Sequence, residues 1–249
     1  MFTISLAGVP VGIDNRYPYV RWLCRNYIAE DQTPAFAVRA ADQELAAELA
    51  EAGEMSPAYA ESLCLYRSIC MKMPLYGAFL MHAAVVEVDG IAYVFTAPSG
   101  TGKSTHVQLW LDHFGPRARV LNGDKPLLRF EGNTLYACGT PWQGKENLGC
   151  NEMRPVQGIC FLEQAPENSI RKLPLGQASR LIFKQVLIPR EEEAFNCFWS
   201  MLDRMMNTVD FYLLQCNREP EASRLSYLTM RRKQDAENQE RIPAAPAGR

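Results

Sequence analysis

Along the first eighty residues the apolar positions shift between two periods. Short apolar runs at residues 2–6 and 35–38 predict strands, whereas residues 19–28 and 42–52 repeat their apolar side chains at helical spacing. Gly53 closes the second of these helices, and Ser56 is placed to cap a third that begins at Pro57. That third segment sets Tyr59, Leu63, Tyr66, Ile69, Cys70 and Met73 along one stripe until Pro74 stops it. A stripe of aromatic and sulfur side chains at this spacing predicts core packing.

From residue 79 the pattern changes to strands joined by tight turns. Residues 79–88 and 91–96 are β-rich runs separated by Asp89-Gly90, which predicts an antiparallel hairpin. A further strand is expected at 118–122, and another hairpin at 127–130 and 134–137 around Glu131-Gly132-Asn133. The polar stretch GTPWQGKENLGCNEMRP follows, and an irregular segment of this length inside a domain is usually functional. Then come a strand at 156–162, helices at 175–185 and 191–206, a strand at 211–214 and a helix at 219–232. Residues 233–249 are polar and end in Pro, Ala and Gly, the composition of a disordered tail.

This order predicts a mixed α/β fold with largely antiparallel sheets, not the regular βαβ alternation of a doubly wound sheet. Three segments are expected: an α+β region at 1–78, a nucleotide-binding catalytic core at 79–232, and the tail at 233–249. No internal repeat is visible.

The chemistry concentrates at residues 97–105, APSGTGKST, between a predicted strand and a run with helical spacing at 107–114. A strand, a glycine-bearing turn and a helix in that order form a phosphate cradle, because backbone N–H groups and the helix N-terminus all point at anionic oxygens. Ser99, Gly100, Thr101, Gly102 and Thr105 would build the cradle, Lys103 would meet the outer phosphates, and Ser104 would offer a hydroxyl to Mg²⁺. Ala97 stands where the full pattern has its first glycine.

The overall composition limits the partners. Hydrophobic residues make up 47% and charged residues 22% of the 249, with a formal net charge of −2, so nothing draws the chain generally to nucleic acid or an anionic membrane. Eight cysteines without a CxxC pair, alongside three histidines, fit reduced buried thiols better than a zinc site or a disulfide framework. The opening MFTISLAGVPVGID has no basic segment or long apolar stretch, and no apolar run approaches 18 residues, so a cytoplasmic location is expected.

Phosphoryl transfer also needs a carboxylate near the phosphates to hold metal or accept a hydroxyl proton. Asp124, which ends the predicted strand ARVLNG, is the leading candidate for both roles. The alternative for it is an ordinary Asx turn.

HAAVVEVDGIAYVFTAPSGTGKST followed by VLNGDKPLLRF resembles the HPr kinase/phosphorylase group and its smaller serine-kinase relatives, whose core is shared with phosphoenolpyruvate carboxykinase. The resemblance covers about residues 79–162 and implies a core of that type with an N-terminal α+β extension. It implies ATP and Mg²⁺ as cofactors and a serine-type hydroxyl as acceptor, on a protein, a ribosomally made peptide or free serine. His82 matches a histidine that opens the strand pair before the loop; beside the loop it is a candidate hydrogen-bond donor to phosphate or orienter of Asp124, and a satisfied core histidine is the alternative. The group has two adjacent aspartates where this chain has Gly123-Asp124, so one carboxylate is missing.

The segment TPWQGKENLGCN departs from the bifunctional enzyme and is more similar to the smaller peptide and amino-acid kinases. There Lys145 is a candidate contact for the transferred phosphoryl group, Glu146 for metal or an acceptor amine, and Trp142 for a wall of the acceptor pocket. Solvated loop charge and buried packing are the alternatives for them. His106 is expected either at a phosphate or exposed, and His113 is expected to be structural. A nucleotide-binding regulator without phosphoryl transfer is the competing function, with a carboxykinase or lyase ranked last; homo-oligomerisation stays open.

Overall fold

The computed structural model describes residues 1–231, and the predicted tail at 233–249 lies outside them. The chain opens with a hairpin of β1 (Phe2–Leu6) and β2 (Val9–Asp14), turned at Ala7 and Gly8, both with positive φ. β3 (Phe36–Arg39) adds to β2 in parallel, so β2 is the centre of a three-stranded sheet. β2 was absent from the sequence expectation because Pro10 and Gly12 break the reading of a strand, although Val9, Val11 and Ile13 alternate inward.

Helices α1 (Pro18–Leu23), α2 (Asp42–Ala52) and α3 (Pro57–Lys72) complete this region. The segment expected as one helix over 19–28 is α1 followed by a separate 3₁₀ turn at Arg25–Tyr27. Ser56 Oγ accepts from Tyr59 N at 3.3 Å, capping α3 as its sequence predicts. Leu65, Tyr66, Ile69 and Met73 of this region share one core with Ala78, Leu127, Cys138 and Trp142. The N-terminal segment and the following one are therefore packed through common side chains.

The large sheet holds β4 (Ala78–Leu80), β5 (Ala84–Val88), β6 (Ile91–Thr96), β7 (Ala118–Asn122), β8 (Leu127–Glu131), β9 (Thr134–Cys138), β10 (Met153–Gln164), β11 (Ser169–Lys172) and β12 (Asp210–Cys216). Its main path runs β4-β8-β9-β10-β6-β5-β7, with β12 beside β10 and β11 beside β12. Most pairs are antiparallel, but β10 lies parallel to both β6 and β12. The first residues of β10 pair with β9 and the rest with β6 and β12, so one long strand joins the two halves of the sheet.

The period-2 alternation of these strands feeds two further cores. On one face Val85, Val94 and Ile159 meet α5 (Leu175–Ile182) and α6 (Glu192–Thr208) through Ile182, Phe198 and Leu202. On the other, Val86, Tyr93 and Phe95 meet α4 (Lys103–Phe114) and α7 (Glu221–Met230) through Trp110 and Tyr227. The fold is thus mixed α/β, with helices on both faces of its main sheet. All eight cysteines are free, and no helix among the described residues is long and apolar enough to cross a membrane.

Residues 79–88, expected as one strand, are split between β4 and β5. At the break, Met81 N donates to Pro126 O, His82 N to Gln185 O and Ala83 N to Asp124 O. Three successive amides bond alternately to two segments, the 124–126 turn and Gln185, where the chain passes from one half of the sheet to the other. These bonds set His82 beside the end of β7.

Candidate phosphate site

β6 ends at Thr96 and α4 begins at Lys103, so the turn between them lies at the C-terminal edge of the parallel strands. Gly100 and Gly102 have φ of 80° and 112°, a region that side chains disfavour, and no atom approaches within 4 Å of where either Cβ would stand. The cradle is therefore open as well as correctly bent. Gln164 Nε2, at the end of β10, donates to Thr101 O at 3.1 Å and braces the turn. Ser99, Ser104 and Thr105 are exposed at its rim.

Lys103 is 9% exposed, and its Nζ donates to Ala97 O at 2.8 Å. Burial pushes its ammonium below the ordinary lysine value, Asp124 works in the opposite direction, and Lys125 adds to the lowering. No carboxylate among the described residues forms an ion pair with it. A buried cation held only by a carbonyl, under an open cradle at a helix N-terminus, is a ready anion site.

Asp124 stands at the end of β7 on a rigid turn. The fully buried Asn122 accepts from Asp124 N at 2.9 Å and Lys125 N at 2.7 Å through Oδ1, while its Nδ2 donates to Thr140 Oγ1 at 3.0 Å. One oxygen of Asp124, Oδ1, lies 3.1 Å from His82 Nε2, and the other, Oδ2, pairs with Lys125 Nζ. Burial raises the pKa of this carboxyl, but the hydrogen bonds from His82 and Lys125 outweigh it and hold the pKa down at about 2. Asp124 is thus an anion at any working pH. His82 is itself fixed by Gln185 Oε1 at 3.3 Å from Nδ1, and its carbonyl accepts from Thr96 Oγ1 at 2.8 Å.

The segment at 140–149 covers this turn. A Cβ on Gly123 would stand 2.5 Å from Gln143 O, so no side chain fits where the resembling kinases carry their first aspartate. The Cβ position of Gly144 lies 3.6 Å from Asp124 Cγ and 3.7 Å from Glu146 Oε2, and the two carboxylates border one small space. Lys145 is exposed and forms no ion pair with a described residue. Trp142 is buried, its ring stacked on Tyr66 at 4.0 Å and its Nε1 donating to Ser62 O at 3.0 Å, so it packs in the core and not at the mouth of the site.

His106 corrects the sequence expectation of a phosphate contact or an exposed ring. It is buried in the core under α4, its Nε2 accepting from Trp110 Nε1 at 3.1 Å, and burial pushes its pKa down to about 3. His113 is exposed in the last turn of α4 against the edge of Phe114. Asn122, Lys125, Thr140 and Gln185 were not singled out from the sequence. Asn122 and Lys125 flank the Gly-Asp pair and were legible there, whereas Gln185 is 103 residues from His82 and gives no local signal.

Two open cavities flank the phosphate loop. One, of about 590 Å³, reaches from Ala97 and Ser99 to Glu163, Lys184 and Gln185. The other, of about 510 Å³, lies between Gly102, Thr105 and His106 on one side and Ala165, Cys216 and Arg218 on the other.

The donor set suits a Mg²⁺ ion arriving with phosphates: one carboxylate, Asp124, with the exposed hydroxyl of Ser104 at the cradle rim. Among the described residues no three His, Cys, Asp or Glu side chains gather as a separate metal site.

No family model matches the chain, and no curated protein matches it. Among solved structures, the HPr(Ser) kinase/phosphatase from Coxiella burnetii is similar at 14% identity and a TM-score of 0.36, over 61% of this chain and 97% of that one.

Proposed function

We propose that the chain is an ATP-dependent, Mg²⁺-requiring kinase that transfers the γ-phosphoryl group to a serine-type hydroxyl, on a protein, a ribosomal peptide or free serine. The observation that carries this reading is Lys103: a buried ammonium with no ion-paired carboxylate among the described residues, at the N-terminus of α4, beneath an open glycine cradle. A triphosphate supplies the missing anion.

The residues around it divide the work. Backbone amides of the loop and Lys103 bind the phosphates, and Ser104 and Asp124 would hold Mg²⁺, which neutralises charge on the phosphates. Asp124 also accepts the proton of the acceptor hydroxyl, oriented by His82 through the 3.1 Å hydrogen bond. Glu146 lies near enough to Asp124 to meet an acceptor group, and exposed Lys145 has the reach to close on the transferred phosphoryl. Gln185 ties His82 to the larger cavity, which makes that cavity the acceptor side and leaves the other for the nucleoside.

The filled space at Gly123 favours one alternative, a regulator that binds or hydrolyses the nucleotide with a single carboxylate and transfers nothing. Incubation with γ-labelled ATP, Mg²⁺ and free serine, a small phosphocarrier protein or candidate peptides separates the two. Label on an acceptor, lost in Lys103→Ala and Asp124→Asn, supports the kinase. Free phosphate without labelled acceptor supports the regulator.

A further inference from the structure

Asp124 has both oxygens engaged, Oδ1 by His82 and Oδ2 by Lys125. Each of these contacts takes one lone pair of an oxygen that has two, but the cation on Oδ2 competes with a metal or a hydroxyl proton for the same charge, so Asp124 acts more strongly once Lys125 has left. His82 is held at three points: its amide on Gln185 O at 2.6 Å, its Nδ1 near Gln185 Oε1, and its carbonyl under Thr96 Oγ1. Lys125 is different. Its backbone is fixed by Asn122, by Tyr66 OH on its carbonyl at 2.7 Å and by Thr140 Oγ1 at 2.9 Å, yet among the described residues its side chain is held by Asp124 alone, and it is 34% exposed.

The root of Lys125 is therefore anchored while its ammonium is free to swing on a four-carbon stem. It also lies close enough to Lys103 for the two charges to act on each other, so its head belongs to the same electrostatic site as the phosphate loop. With nucleotide absent, Asp124 is the one carboxylate among the described residues that forms an ion pair with Lys125. A triphosphate brings more negative charge than Lys103 alone neutralises, and Lys125 already shares the electrostatic environment of Lys103.

From this geometry we infer that Lys125 is a second phosphate contact, which neutralises Asp124 in the nucleotide-free protein and moves to the outermost phosphate of a bound triphosphate. The inference rests on the kinase reading, and it assigns to Lys125 the release of the catalytic carboxylate. The same movement uncovers Oδ2 of Asp124 when a γ-phosphate is present.

Calorimetric titration with the β,γ-imido analogue of ATP and with ADP, each with Mg²⁺, tests it. The wild type is expected to bind both; Lys125→Met should weaken the analogue by about tenfold or more and ADP by less than about threefold, with Lys125→Arg restoring part of the loss. The preferential loss should persist when Lys125→Met is made in an Asp124→Asn background, because the contact is with phosphate. Equal weakening of both nucleotides, no weakening, or a loss that disappears in the Asp124→Asn background overturns the inference and leaves the kinase reading standing. If the wild type binds neither nucleotide, the kinase reading fails and the inference fails with it.

Discussion

His82, in the break between β4 and β5, and Asp124, just past the end of β7, meet at 3.1 Å because the consecutive amides of Met81 to Ala83 bond to the 124–126 turn and to Gln185. The strand break is what makes the pair. Replacing His82 with alanine should leave the carboxylate charged but unoriented. Turnover on any acceptor should fall by about 10²-fold, with affinity for the ATP analogue changed by less than about threefold. Initial-rate kinetics beside a binding titration check this, and an equal loss in both would remove His82 from the chemical step.

Lys103 should matter only when nucleotide is bound. Its ammonium is buried with one carbonyl as partner, so Lys103→Met removes a desolvated charge and should change the stability of the free protein by no more than about 1 kcal/mol. The rise in Tm produced by the ATP analogue in the wild type should vanish in the variant. Thermal melts with and without ligand give both numbers.

Gly123 cannot be converted back into the first aspartate of a pair. A Cβ there meets the Gln143 carbonyl at 2.5 Å, and that carbonyl belongs to backbone. Gly123→Ala should cost about 1–3 kcal/mol in chemical denaturation, and Gly123→Asp more, without any gain in turnover. A stable, faster Gly123→Asp variant would mean that the 140–149 segment moves aside readily.

Trp142 supports the site from below. Trp142→Phe keeps a ring against Tyr66 but loses the donor to Ser62 O, and should cost about 1 kcal/mol. Trp142→Ala should cost about 3–5 kcal/mol. The KM for an acceptor should be unchanged in the phenylalanine variant, which kinetics on the folded protein can establish.

His106 should leave a signature in the pH dependence of stability. Burial pushes its folded pKa down to about 3, against about 6.5 in the unfolded chain, so between these values the unfolded state binds a proton that the folded state refuses. Its stabilising contribution is present above pH 6.5 and declines as the pH falls toward 3, by about 1.4 kcal/mol per unit. His106→Leu, in which Trp110 Nε1 keeps Ser226 Oγ at 3.1 Å, should flatten the curve by about that slope between pH 6 and 4. Urea melts across that range measure it.

What was legible in the sequence had local causes. The hairpin of β5 and β6 is announced by Asp89-Gly90, both at positive φ, and the turn between β6 and α4 by glycines whose backbone no other residue adopts easily. β7 ends at Asn122-Gly123-Asp124 as its apolar run predicts. What stayed hidden depends on partners distant in the chain. β11 is a short polar strand that exists because β12 offers it an edge, and the break at Met81–Ala83 is decided by Pro126, Asp124 and Gln185. The pairing of Asp124 with Lys125 sits between the two cases, since adjacency was plain but the direction of the lysine side chain was not.

Helix α3 holds the Asp124 turn without touching a phosphate. Tyr66 OH supports the Lys125 carbonyl, and the Ser62 carbonyl anchors Trp142 under the same turn. A genetic screen for loss of activity would therefore recover Tyr66 and Trp142, whose side chains make these contacts, together with Lys103 and Asp124. Lesions that map far from the nucleotide in the primary chain would behave as defects of the reaction centre, and expressing residues 79–231 alone would yield the phosphate loop without the floor beneath its carboxylate.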